Sequence, residues 1–184
     1  MSIIGKQPVS IPDTVKVTVK PNKVAVSGPG GELNLAIPYG IKIKMDGGVL
    51  KVSRDNDSKR IKSIHGTIRS LIQNMITGVT DGWTRQLEVK GTGYGVQLQG
   101  DKLVFKLGYS HPVEFSAPEG ISFEIDKNVV TVKGANKELV GNTAAKIRRI
   151  NPPNIYHGKG IRYTDEHVKL KPGKVAKVGG AGGE

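Results

Sequence analysis

The sequence predicts an α+β protein of two tandem homologous units, each a mainly antiparallel β-sheet packed against one α-helix, followed by a basic C-terminal extension. Three observations predict it. The chain aligns with itself at an offset of 80 residues. Apolar and polar residues alternate with a period of two through most of each copy. Each copy then closes on a stretch where the apolar spacing lengthens to three and four.

The repeat is clearest late in each copy. Pro38-Tyr39-Gly40-Ile41-Lys42-Ile43-Lys44-Met45-Asp46 lies over Pro118-Glu119-Gly120-Ile121-Ser122-Phe123-Glu124-Ile125-Asp126, and Val49-Leu50-Lys51-Val52 lies over Val129-Val130-Thr131-Val132. With a slip of one residue, Lys23-Val24-Ala25-Val26 matches Lys102-Leu103-Val104-Phe105, and Ile68-Arg69 matches Ile147-Arg148. Duplication of one unit explains these identities, and the units are expected to span 1–82 and 83–184, meeting near Thr80-Asp81-Gly82.

In the first unit, Val15/Val17/Val19, Val24/Val26, Leu33/Leu35/Ile37, Ile41/Ile43/Met45 and Leu50/Val52 alternate as half-buried strands do. Turn residues separate them: Pro21-Asn22, Gly28-Pro29-Gly30-Gly31, Pro38-Tyr39-Gly40 and Asp46-Gly47-Gly48. Ile61, Ile64, Ile68, Leu71, Ile72 and Met75 then predict an amphipathic helix over 58–76, capped by Asp57 or Ser58 and ended by Gly78. In the second unit strands are expected over 86–90, 94–98, 102–107, 112–115, 121–125 and 129–133. A helix follows from 137 to 150, with Leu139, Val140, Ala144, Ile147 and Ile150 as its apolar stripe. Arg149 points away from that stripe, and Lys146 and Arg148 flank it.

Charge narrows the choice of partner. The net charge is +12 and the chain has no cysteine, which excludes thiolate metal sites, disulfides and cysteine nucleophiles. Residues 1–82 carry 12 basic and 6 acidic side chains, residues 83–145 carry 7 of each, and residues 146–184 carry 9 and 3. The last segment is the most basic per residue, and its natural partners are polyanions. No apolar run is long enough to span a membrane. No charged-then-apolar leader precedes Ile3-Ile4-Gly5-Lys6, so the expected location is the cytosol.

Residues 152–163 read Pro152-Pro153-Asn154-Ile155-Tyr156-His157-Gly158-Lys159-Gly160-Ile161-Arg162-Tyr163. The double proline stops the preceding helix. Gly158 and Gly160 allow positive φ or close backbone approach. Lys159 and Arg162 supply phosphate contacts, Tyr156 and His157 can stack on bases or sugars, and Arg148 and Arg149 stand beside them. Tyr163 can stack in the same way or pack on the sheet. Lys169, Lys171, Lys174 and Lys177 follow in a Gly-rich tail without apolar periodicity, expected to be extended or disordered until RNA orders it. The combination suits irregular folded RNA.

Other motifs carry less. Gly91-Thr92-Gly93-Tyr94-Gly95 lacks the helix that a dinucleotide loop requires and reads as a strand bend. Gly28-Pro29-Gly30-Gly31 has no Gly-Lys-Ser/Thr after it and is a turn. His65, His111, His157 and His167 show no metal spacing, and no nucleophile–base pattern is suggested. No cofactor, small-molecule substrate or enzymatic activity is expected.

The loop Tyr156, Gly158-Lys159-Gly160-Ile161-Arg162-Tyr163 after Pro152-Pro153 closely resembles the diagnostic loop of the L-six family of bacterial-type large-subunit ribosomal proteins. Ile4-Gly5-Lys6-Gln7-Pro8-Val9-Ser10-Ile11-Pro12, Val26-Ser27-Gly28-Pro29, Gly31-Glu32-Leu33, Asn74-Met75, Gly78-Val79-Thr80-Asp81-Gly82-Trp83 and Leu107-Gly108-Tyr109-Ser110-His111-Pro112-Val113 extend the resemblance over nearly the whole chain. It implies a structural constituent of the large subunit that binds 23S rRNA chiefly through the second unit. The place it implies is near the sarcin–ricin loop, at the base of the stalk, beside neighbouring ribosomal proteins and the docking site of translational GTPases. The family loop carries Glu-Pro where this chain has Asn154-Ile155, and Lys where it has His157, so His157 is left to stack or hydrogen-bond. The rival reading is a protein-interaction module with incidental charge. A chain cut at Asn151 is expected to stay folded while losing rRNA affinity.

Overall fold

The computed structural model describes residues 3–173. The first unit opens with a short helix, α1 (Ile3–Lys6), and a two-residue strand, β1 (Val9–Ser10). Strands β2 (Lys16–Lys20), β3 (Lys23–Gly28), β4 (Gly31–Ala36), β5 (Ile41–Asp46) and β6 (Val49–Arg54) follow, then helix α2 (Lys59–Thr80). The second unit holds β7 (Trp83–Lys90), β8 (Gly95–Gln99), β9 (Lys102–Lys106), β10 (Val113–Ser116), β11 (Ile121–Asp126) and β12 (Val129–Gly134). Helix α3 (Lys137–Ile150) and a last strand, β13 (Gly160–Tyr163), complete it.

The strands of each unit divide into two antiparallel sheets. In the first unit the orders are β2-β3-β4 and β1-β6-β5; in the second they are β10-β9-β8 and β11-β12-β7-β13. The division falls where the Pro38-Tyr39-Gly40 and Pro118-Glu119-Gly120 turns break the run of pairing, since proline removes a ladder donor and Gly40 and Gly120 take positive φ. The duplication is visible in the register. Val49 to Arg54 pair with Asp46 to Ile41, and Val129 to Gly134 pair with Asp126 to Ile121, with every partner displaced by the same offset. Likewise β1 lies beside β6 as β7 lies beside β12. In the second unit β13 adds a fourth strand on the free edge of β7.

Each unit has its own core. Val9, Val24, Val26, Leu50, Ile72 and Val79 are fully buried in the first, and Leu87, Leu103, Phe105, Val130, Val132, Ile147 and Ile161 in the second. Burial of each such side chain contributes about 1.5–3 kcal/mol relative to exposure. Helix α3 lays its expected stripe on the core; α2 does so through Ile61, Ile64, Ile68, Ile72 and Met75, with Leu71 outside the core and Ile76 and Val79 added to it. In α2 one stripe position is polar: His65 is buried, with one ring nitrogen 2.9 Å from the Val52 carbonyl and the other 3.3 Å from the Arg54 guanidinium.

Ser58 caps α2 as predicted, its hydroxyl accepting from the Ile61 N–H. The other end differs from expectation. Gly78 does not stop the helix, which runs to Thr80; the glycine in the left-handed conformation is Gly82, whose N–H donates to the Thr77 carbonyl. Gly78 is small for another reason: a Cβ there would fall deep inside van der Waals contact with the Ala135 carbonyl oxygen, at the entry to α3. The two units also meet where the Trp83 indole N–H donates to the Asn74 carbonyl at 3.0 Å and Lys137 donates to the Asn74 side chain at 3.2 Å. No helix among the described residues is long and apolar enough to cross a membrane.

Candidate nucleic-acid interface

The predicted site begins where α3 ends at Asn151. Pro152 and Pro153 turn the chain out, and a compact reversal follows. The Gly158 N–H donates to the Asn154 carbonyl at 2.7 Å, and the Asn154 N–H donates to the Lys159 carbonyl at 2.8 Å. The Asn154 side-chain oxygen accepts from the Tyr156 N–H at 2.8 Å, an Asx turn. Asn154, one of the three positions at which the loop departs from the pattern it resembles, therefore stiffens the reversal.

Gly158 and Gly160 both take positive φ, at 68° and 141°. The surface that Gly160 approaches is the protein's own: a Cβ there would sit 2.7 Å from the Pro152 carbonyl oxygen and 2.8 Å from Pro153 Cα. Directly afterwards the chain enters β13, where Ile161 is fully buried and its N–H donates to the Asn151 carbonyl. Residues 160–163 are thus sheet rather than loop. This overturns the expectation that a chain cut at Asn151 would stay folded, because the cut removes an edge strand and a core side chain.

The cations sort into two groups. Arg162 lies across the sheet from Glu88 and donates to its carboxylate at 2.8 Å. Arg148 grips Glu166, also at 2.8 Å from Nε, and Glu166 in turn accepts from the Tyr163 N–H. Arg148, more than that backbone bond, holds the Glu166 carboxyl below its usual range. Arg85 pairs with Asp165 and lies 4.5 Å from the Tyr163 ring centroid, so Tyr163 packs on the sheet. These contacts fasten the last strand; Arg148 and Arg162 hold the loop rather than project from it.

The remaining cations are free. Asp165 and Glu166 are the only acids between 146 and 173, and both are taken. Lys146, Arg149, Lys159, Lys169 and Lys171 are exposed, with no carboxylate partner among the described residues. Lys171 is brought to the loop by its backbone N–H, which donates to the Ile155 carbonyl at 2.9 Å, and Leu170 packs beside Gly158. The stretch up to Lys171 is therefore folded back along the loop, while Lys174, Lys177 and the glycine run lie outside the described residues. Tyr156 is 53% exposed at the loop tip, next to exposed His157.

One further element was not legible as part of the site. The Tyr109 hydroxyl donates to the Ile150 carbonyl at 3.0 Å, so the 107–112 turn stands beside the end of α3 and contributes a half-exposed aromatic and His111. The signal was present in its aromatic and small composition, but its position came only from folding. Among the described residues no group of three or more His, Asp or Glu could hold a metal ion.

Comparison with known proteins gives a consistent result. The family model described as Ribosomal protein L6 matches residues 11–82 and again 90–164. The chain is 46% identical to the large ribosomal subunit protein uL6 of Trichormus variabilis over 180 residues, covering 97% of this chain and 99% of that protein. It is 49% identical to the uL6 of Syntrophomonas wolfei over 175 residues, covering 95% and 98%. It is also 49% identical to the uL6 of Listeria monocytogenes serotype 4a over 178 residues, covering 96% and 100%.

Proposed function

Since this chain belongs to the ribosomal protein L6 family, as a structural and non-catalytic constituent of the large ribosomal subunit, we propose that it binds 23S rRNA through the loop of residues 152–159 and the free cations around it. The observation that carries this reading is the sorting of charge. Arg148 and Arg162 are neutralised by Glu166 and Glu88, which locks the loop in place. Lys146, Arg149, Lys159, Lys169 and Lys171 stay unneutralised around exposed Tyr156 and His157. Free cations neutralise phosphates and release counterions, and an exposed ring on a stiff loop stacks on an unpaired base.

We place this contact near the sarcin–ricin loop, at the stalk base, with neighbouring ribosomal proteins and translational GTPases close by; the resemblance of the 152–163 loop supports that reading. An interaction module for proteins would have little use for five cations without partners. Chemical footprinting of 23S rRNA with and without the full chain tests the placement. Protection confined to the sarcin–ricin and stalk-base helices, lost in a Tyr156→Ala/Lys159→Ala variant, is the expected result. Protection that persists in that variant would move the contact elsewhere on the protein.

A further inference from the structure

A different corner, on the first unit, carries its own binding chemistry. Tyr39 is 96% exposed, the most exposed large hydrophobic side chain among the described residues. It is not on a loose segment. Pro38 precedes it, Gly40 takes φ 88°, and a Cβ at Gly40 would fall against the Ile61 side chain of α2. The Gly40 carbonyl accepts from the Asp55 N–H at 3.0 Å. The turn therefore stands against the first turn of α2 and holds a ring out into solvent.

At the start of α2, against which this turn stands, the charge is one-sided. Asp55 is paired with Lys42 at 2.7 Å and Asp57 with Arg54 at 2.6 Å, which uses up the carboxylates of the segment before α2. Lys59, Arg60 and Lys62 follow, all exposed and none in a close ion pair, with no acid in the first turn of the helix; Lys62 acts on Asp57 only through space. Cations there oppose the helix dipole, so local stability does not account for them. The second unit does not repeat this cationic corner: Glu119 occupies the place of Tyr39, and Glu138 follows Lys137 in the first turn of α3.

We propose that Tyr39 with Lys59, Arg60 and Lys62 forms a second RNA-docking surface, one that stacks an unpaired base on Tyr39 and neutralises the flanking phosphates. An acidic protein would use the cations but gains little from a bare aromatic ring held away from any apolar neighbour. A splayed nucleotide uses both. The surface is independent of the 152–159 loop, and the test keeps them apart.

The test uses the full chain carrying Tyr156→Ala, Arg149→Ala, Lys159→Ala, Lys169→Ala and Lys171→Ala, so that the loop's stacking ring and most of its free cations are gone, and reads its binding to a short labelled oligoadenylate. Tyr39→Ala should weaken binding about tenfold at unchanged salt slope, with Tyr39→Phe retaining it. Lys59→Ala/Arg60→Ala/Lys62→Ala should flatten the slope of log K against log salt by about two units. If neither change alters binding, the surface is not used for RNA. If polyglutamate competes as well as RNA and Tyr39→Ala has no effect, the corner is a dock for an acidic protein and the RNA assignment fails.

Discussion

Replacing Gly160 with alanine is expected to destabilise the second unit by about 3 kcal/mol, through backbone strain and overpacking together. At φ 141° an L side chain is strained wherever it points. The added methyl would also meet three backbone atoms of Pro152 and Pro153 at 2.7–2.8 Å, and backbone cannot step aside by changing rotamer. The proline pair has to move, taking the turn that carries Tyr156 and Lys159 with it. Denaturant unfolding of the variant should show a lower midpoint with the slope unchanged, and its rRNA affinity should fall although no contacting side chain has been touched. Wild-type stability in this variant would mean that the double proline does not pack on Gly160 as described.

The second large effect belongs to the junction of the units. In Gly78→Ala two terms compete. Alanine is a better helix former than glycine by about 1 kcal/mol. Against that, its methyl would overlap the Ala135 carbonyl oxygen and press on the Trp83 ring, an overpacking cost at the upper end of the usual range, about 3 kcal/mol. The overlap is with backbone at a short distance, so the clash wins and the variant is destabilised by about 2 kcal/mol. Separation of the junction should also free the indole N–H from the Asn74 carbonyl, giving a red-shifted Trp83 emission. A variant more stable than wild type, with unchanged emission, would show that the units meet more loosely than α2 and Ala135 imply.

Much of this architecture could be read from residue order because its signals are local. Period-two alternation places β2 to β6 and β8 to β12 within about two residues, and the repeat transfers each assignment from one copy to the other. The same local reading ends α2 too early. Gly78 looks like a stop, yet its smallness answers to Ala135, more than fifty residues further on, and Gly82 supplies the stop. What stayed hidden is non-local in every case. Gly160-Ile161-Arg162-Tyr163 has a motif's composition and only four residues of alternation, so nothing nearby marks it as a strand; its pairing is with β7. Arg162 and Glu88 are 74 residues apart, and Arg148 and Glu166 are 18 apart. Counting charge finds the basic segment but cannot tell a cation that is neutralised from one that is free.

That distinction is the centre of the account, and a salt titration reads it most directly. Binding of the full chain to a 23S rRNA fragment spanning the sarcin–ricin loop and stalk base should give a log K that falls linearly with log salt. Each free cation in contact adds about 0.7–0.9 to the slope. Arg149 and Lys159 make no ion pair within the described protein, so Arg149→Ala/Lys159→Ala should leave the unfolding midpoint unchanged and flatten the slope by about one and a half units. An unchanged slope in a folded double variant would contradict the account.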